Sequence, residues 1–266
     1  MINENINKNA RRWLNYLMLH KMDSIENSIN HTYVVEEFES EENVTERFDH
    51  MSIEVIPRDT VSAIFKYSDE DCAILNFANF IEPGGGFLRG ATAQEECLCY
   101  ESTLYPVLLS QKEEYYSKNS HLNPITFSNR ALYSKDIEFI RGDQIVKCDV
   151  LTSAAPCLCG TNIDPDDPCI IHALYDRIDF ILNTMYDMDA STLILGAFGC
   201  GAFRNNPLMV ATIFKYFLEN KYSKCFQKVI FAIPDGKDCN YQVFNAIINN
   251  TISKQVIKSL LADLKF

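Results

Sequence analysis

The chain has no apolar run approaching the ~20 residues needed to cross a bilayer, so no membrane-spanning helix is expected. Its first residues, Met1-Ile2-Asn3-Glu4-Asn5-Ile6-Asn7-Lys8, show neither a basic n-region nor an apolar h-region. A secretory signal is therefore not expected, and the sequence reads as intracellular, cytoplasmic and monomeric. Positive charge is in deficit: 24 Lys and Arg stand against 36 Asp and Glu, for a formal charge of −12. Such a surface disfavours duplex nucleic acid, anionic membranes and a long groove for a polyanion. It leaves open a pocket that holds an anion locally on backbone amides and helix ends. There is no internal repeat, no low-complexity linker and no G-K-[ST] of a phosphate-binding P-loop.

What is present is a core. An apolar fraction of 47% over 266 residues suits one large domain, or one domain with extensions. Without a secretory signal, the ten cysteines read as free thiols rather than disulfides. Cys157, Cys159, Cys169 and His172 fit no standard zinc spacing, so no metal and no redox cofactor is expected.

The most informative stretch runs from Leu75 to Glu96. Cys72 to Ala78 has the length and composition of a buried strand. Pro83 and Gly84-Gly85-Gly86 then stop regular structure. Glycine permits positive φ and lets a ligand lie on the backbone. After Gly90 helix formers return, with Thr92 as an expected N-cap and Glu95 at capping-box spacing. A strand, a glycine loop and a helix with two carboxyl groups in its first turns suit a phosphate held at the helix N-terminus, with acid/base chemistry beside it.

Elsewhere strands and helices alternate. A helix is expected over 7–22 and an acidic connector over 36–49. Strands are expected at 53–56, 146–155, 192–195 and 229–233, and a strand or hairpin at 131–140. Asp59 is placed to cap a helix through Val61, Ile64 and Phe65. One helix is expected from Thr92 to about Tyr105, and residues 111–130 read as a polar surface excursion. Further helices are expected at 168–188, 207–220, 240–250 and 253–266. Residues 196–207, Gly-Ala-Phe-Gly-Cys-Gly-Ala-Phe-Arg-Asn-Asn-Pro, form a second glycine loop between strand and helix. Two such loops are what a diphosphate clamp requires. Alternation of this kind implies an α/β/α layered fold, with ligands outside the carboxyl ends of the strands.

Gly84-Gly85-Gly86, seven residues, then Gln94-Glu95-Glu96 resembles the signature of the compact bacterial-type poly(ADP-ribose) glycohydrolases, and the resemblance extends in order from about Ile53 to Asp235. It implies a macrodomain-like α/β/α fold with a mixed central sheet, residues 1–50 being a helical N-terminal extension packed on a catalytic domain at 51–266. The implied ligands are ADP-ribose, poly(ADP-ribose) or ADP-ribosylated protein. By correspondence Glu96 is the general acid/base, and Glu95 positions ribose hydroxyls. Asp59 and the Thr60 amide would meet adenine. Asn79 would meet the terminal ribose, on which Phe203 would pack. The amides of Gly84, Gly85, Gly86 and Phe87, and of Gly199, Cys200, Gly201, Ala202 and Phe203, would hold the diphosphate and that ribose. Gln94 completes the motif, and Arg89 is a further candidate for a phosphate. A reader that binds ADP-ribose without cleaving it, or a hydrolase of mono-ADP-ribosylated targets, would use the same pocket; the intact Gln94-Glu95-Glu96 favours hydrolysis. A dinucleotide-dependent oxidoreductase is disfavoured, because Gly84, Gly86 and Gly90 miss its glycine spacing.

Overall fold

Alternate residues of the central strands point into two different cores. In β3 (Cys72–Phe77), Ala73 and Leu75 join one cluster and Cys72 and Ile74 the other. The same alternation divides β6 (Thr192–Leu195) and β7 (Lys228–Ala232). Strands apolar on both faces demand helices on both faces, and the sequence supplies them. The computed structural model of the chain describes residues 7–36, 44–68, 71–123, 125 and 129–250.

Seven strands form one mixed sheet. β2 (Ser52–Ile56), β7, β6, β3 and β5 (Gln144–Ser153) run parallel; β4 (Arg130–Arg141) and β1 (Thr32–Glu36) complete the other edge antiparallel. On one face lie α6 (Pro168–Asp187), α7 (Pro207–Glu219) and α8 (Asn240–Ile248). On the other lie α1 (Lys8–His20), α2 (Met22–Asn30), α3 (Thr60–Tyr67), α4 (Gln94–Tyr100) and α5 (Leu104–Ser110). This is the expected α/β/α layering around a mixed sheet. Among the described residues no helix is long and apolar enough to cross a membrane.

Three local expectations change. The helix expected over 7–22 ends at His20: Lys21 takes φ −135°, and its ammonium reaches Glu138 of β4 at 2.8 Å. The N-terminal region is then not purely helical, because Thr32–Glu36 pairs with β4 as an edge strand. The helix expected from Thr92 to Tyr105 is two helices. Between them Ser102 bridges to Phe139, the Thr103 amide donates to the Glu138 carbonyl, and Glu101 accepts from the Ile140 amide. Pairing with β4 overrides local helix propensity here. Pro106 sits in the first turn of α5, where its missing N–H costs nothing.

The excursion expected at 111–130 is not merely superficial. A π-helical turn at Lys112–Ser117 buries Tyr115 and Tyr116 completely. Arg130 lies buried behind it and donates to the Asn119 side chain at 2.7 Å; Asn119 in turn donates to the Phe80 carbonyl at 2.8 Å. The helix expected at 253–266 and part of the acidic connector lie outside the described residues.

Candidate active site

The carboxyl ends of β3, β6 and β7 open into a cleft of about 490 Å³. One wall is the start of α3 and α4 with the Asn79–Gly90 loop. The other is the loop between β6 and α7. Of the expected residues, Asp59, Thr60, Asn79, Gly85, Gln94, Glu95, Glu96, Gly199, Gly201, Ala202 and Phe203 line it. Gly84, Gly86, Phe87 and Cys200 stand behind that surface.

The capping box expected at Thr92 is absent. Helix α4 starts one residue after Ala93, which offers no side-chain cap. Its first three side chains turn backwards instead and bind the strand end and the glycine loop. Gln94 Oε1 accepts from the Phe77 amide at 2.8 Å, and its Nε2 donates to the Leu75 carbonyl at 2.8 Å. Glu95 Oε2 accepts from the Asn79 amide at 2.8 Å and Oε1 from Asn76 Nδ2 at 3.3 Å. Glu96 Oε1 accepts from the Gly86 amide at 2.7 Å. The Gln-Glu-Glu triplet therefore braces the loop that precedes it.

The triple glycine is required by this closeness. Gly84 and Gly85 have φ of 66° and 54°, a region that other residues rarely adopt. A Cβ on Gly85 would lie 2.6 Å from Glu96 Oε1 and 3.0 Å from Glu95 Oε2, so both carboxylates converge on this one backbone position. One on Gly84 would lie 2.6 Å from the Tyr105 ring. The amides of Gly85 and Phe87 close turns onto the Glu82 and Gly84 carbonyls, while that of Gly86 holds Glu96. In this arrangement the loop grips the carboxylates rather than presenting those three amides to a ligand. Phe87 itself is core, tilted against Tyr100 and Tyr105 with ring centroids 4.7 and 4.6 Å away.

The free amides are on the second loop. Gly199, at φ 71°, is pressed against Ala155 and Asn205. Asn205 donates to the Pro156 and Gly199 carbonyls and pins the loop base. The Cys200 amide closes a turn onto Ala197, whereas those of Gly201, Ala202 and Phe203 make no hydrogen bond among the described residues. Phe203 packs beside Phe80 over Ala78 and Ala154, at the same end of the cleft as the carboxylates.

Both carboxyl groups are buried, Glu95 at 3% and Glu96 at 7% exposure. Burial pushes Glu95 up to about 8, and the Glu96 charge adds to the rise; the Asn79 amide, Asn76 and the Gly84 amide oppose it. Glu96 Oε2 has no hydrogen-bond partner although it is buried. A buried carboxyl oxygen left unpaired at a cleft is an unmet demand for a proton or a ligand donor. Arg89 makes its hydrogen bonds elsewhere: its guanidinium fork is taken by Glu82, at 2.6 and 2.8 Å. The phosphate role considered for Arg89 therefore competes with an existing ion pair.

At the opposite end, Asp59 caps α3. Its two oxygens accept from the Ser62 amide and hydroxyl, both at 2.8 Å. Burial alone would raise this carboxyl, but those bonds and Arg141 outweigh it and hold it below the usual range. The Thr60 hydroxyl is 3.3 Å from Gln94 Nε2, so the two ends of the wall are tied together. Sequence reasoning passed over Phe77, Cys97, Phe198, Pro234, Asp238 and Asn240, which also line the cleft. Only tertiary structure brings the turn after β7 to this mouth. Among the described residues, no group of three or more His, Cys, Asp or Glu is arranged to hold a metal ion.

Residues 17–142 match the family model of the microbial-type PARG catalytic domain. A search of curated proteins finds no match. Among solved structures, the chain is similar to the poly(ADP-ribose) glycohydrolase of Thermomonospora curvata. Identity is 24%, with 90% of this chain and 97% of that one covered, at a TM-score of 0.76. It is also similar to the Deinococcus radiodurans enzyme in complex with ADP-ribose. Identity there is 27%, with 87% and 100% covered, at a TM-score of 0.74. The T. curvata enzyme bound to the inhibitor ADP-HPD aligns at 24% identity over 89% and 96%, with a TM-score of 0.75. The match over residues 17–142, together with the shared sheet and helices, is a similarity to the microbial-type poly(ADP-ribose) glycohydrolases that covers the strand, glycine loop and helix carrying Gln94, Glu95 and Glu96.

Proposed function

We propose that the protein releases ADP-ribose from poly(ADP-ribose) by hydrolysing the O-glycosidic bond between riboses, with Glu96 as general acid and then general base. The observation that carries this reading is the Glu96 carboxyl in the wall of the cleft, fixed by the Gly86 amide through one oxygen while the other is buried without a hydrogen-bond partner. Cleavage of a glycoside passes through an oxocarbenium-like state and needs a carboxylic acid to protonate the leaving oxygen. A buried carboxyl group held in place at the cleft wall suits that task.

The ligand spans the cleft end to end. Adenine lies at Asp59 and the Thr60 amide. The diphosphate rests on the free amides of Gly201, Ala202 and Phe203. The terminal ribose sits between Phe203 and the Asn79 and Gly85 side of the first loop, with Glu95 directed at its hydroxyls. Glu96 gives its proton to the departing oxygen, and then takes one from the water that attacks the anomeric carbon. That one proton restores the Glu96 acid, the remaining O–H of the water becomes the new hydroxyl on the anomeric carbon, and free ADP-ribose is the product.

Incubation with defined poly- and mono-ADP-ribosylated substrates, followed by chromatographic detection of ADP-ribose, tests this. Release from the polymer by the wild type, and its loss in Glu96→Gln, is expected. Polymer bound but left intact by the wild type would make the protein a reader, and release only from mono-modified targets would change the substrate.

A further inference from the structure

Helix α1 departs from the charge balance of the rest of the chain. It carries Lys8, Arg11 and Arg12 and no acidic residue, in a protein of formal charge −12. Lys8, Arg12, Tyr16 and His20 recur every four residues and are all exposed, so they form one outward stripe. Lys8 and Tyr16 are separated by a rise of about 12 Å along the axis. The aromatic part of the stripe is ordered. Trp13 is anchored by its indole N–H on the Ser102 carbonyl at 3.0 Å, and Tyr16 stacks on it at 5.3 Å and 22°. His20 follows at 4.9 Å from Tyr16.

The helix begins at the catalytic loop. The Asn7 amide donates to the Leu88 carbonyl at 2.8 Å, and the Asn7 side chain fills the space beside Gly90. The turn from Gly86 to Ala91 is closed by its own hydrogen bond, and Gly86 holds Glu96. One short turn thus touches α1 at one end and the proposed acid at the other. Basic side chains followed by stacked aromatic rings match a nucleotide, whose phosphates seek cations and whose base seeks a ring face.

We propose that the exposed stripe Lys8–Arg12–Tyr16–His20 is a second nucleotide subsite, which takes the ADP-ribose unit on the leaving side of the scissile bond. This rests on the glycohydrolase reading above. Lys8 and Arg12, nearest the loop, meet the diphosphate of that unit, and Tyr16, backed by Trp13 and flanked by His20, takes the adenine of the unit that follows it along the polymer. The cleft binds the departing terminal unit, and α1 aligns the remainder of the polymer, in a chain whose surface otherwise repels it.

The test compares the affinity of ADP-ribose with that of a short ADP-ribose oligomer, in a Glu96→Gln background so that the oligomer survives. Oligomer should bind about tenfold more tightly than monomer at low salt, and the advantage should shrink as salt rises. Lys8→Glu/Arg12→Glu should abolish the advantage, and Tyr16→Ala should reduce it about fivefold or more; ADP-ribose affinity should stay unchanged in both. Equal affinity for monomer and oligomer without the stripe substitutions overturns the proposal. So does parallel loss of both affinities in the stripe variants, which would make α1 only a prop for the Leu88–Gly90 turn. A loss confined to ADP-ribosylated protein, with oligomer binding intact, also overturns it and assigns the surface, with exposed Met18, Leu19 and Met22 beside it, to a protein acceptor. If the wild type does not cleave polymer, the glycohydrolase reading fails, while these binding ratios still decide on the stripe.

Discussion

Glu95 should make the stability of the fold depend on pH. The side chain is 3% exposed and its carboxyl titrates near 8 rather than at the ordinary 4.5. In the unfolded chain it ionises from about pH 4.5 upward, while in the folded chain it keeps its proton until about pH 8. The folded state therefore binds the proton more tightly, and stability is lost as pH rises through that window. At about 1.4 kcal/mol per pH unit, the loss reaches about 5 kcal/mol at pH 8 and is constant above it. That is a large part of the roughly 5–15 kcal/mol of a typical domain. Glu95→Gln removes the titrating group. Its amide oxygen still accepts from the Asn79 amide, and any mismatch with Asn76 is an offset independent of pH. Urea denaturation at pH 5, 6, 7, 8 and 9 should show the variant gaining on the wild type by roughly 1.4 kcal/mol per pH unit up to pH 8, then no further. Parallel stability curves for the two proteins would show that Glu95 ionises normally and that burial has not kept it neutral.

Glu96→Gln should lower turnover by about 10²–10⁴-fold, the usual contribution of a general acid or base, with ADP-ribose affinity by calorimetry nearly unchanged. Turnover close to wild type would remove Glu96 from the chemistry. Gly85→Ala should destabilise the fold by about 1–3 kcal/mol, because the residue has positive φ and its new methyl group meets both carboxylates; thermal denaturation and activity should fall together. Asp59→Ser should retain the cap of α3 and so leave stability within a few tenths of a kcal/mol, yet weaken ADP-ribose binding. Asp59→Ala should lose both binding and about 1 kcal/mol of stability. Equal affinity of Asp59→Ser and wild type for ADP-ribose would leave Asp59 as a cap alone. Phe203→Ala should raise KM for the polymer more than it lowers Tm, since the ring is only half-buried.

Much of this protein was written in local pattern. The strands at 72–77, 192–195 and 228–232 and the helices at 168–187 and 207–219 lie within a residue or so of where apolar runs put them. These are segments whose neighbours in sequence already satisfy their backbone and whose burial shows as periodicity. The pairing of Gly84-Gly85-Gly86 with Gln94-Glu95-Glu96 likewise pointed to the cleft, because a loop and the helix after it are bound to be close in space.

Tertiary structure decided the rest, wherever the partner is distant along the chain. Local propensity favours helix through Glu101–Thr103, but β4, more than 30 residues later, offers backbone groups that break it. Thr92 and Glu95 had the spacing of a capping box, yet the Asn79 amide competed successfully for the Glu95 carboxylate. The glycine loop read as a ligand cradle; only its closure on Glu96 shows that its Gly86 amide braces that carboxyl group, and that the amides without a hydrogen bond among the described residues include Gly201, Ala202 and Phe203 of the second loop. Hydrogen-bond donors look alike in sequence. Which acceptor each one finds is a property of folded geometry, and here that geometry separates the loop that holds the carboxylates from the loop left free to hold an anion.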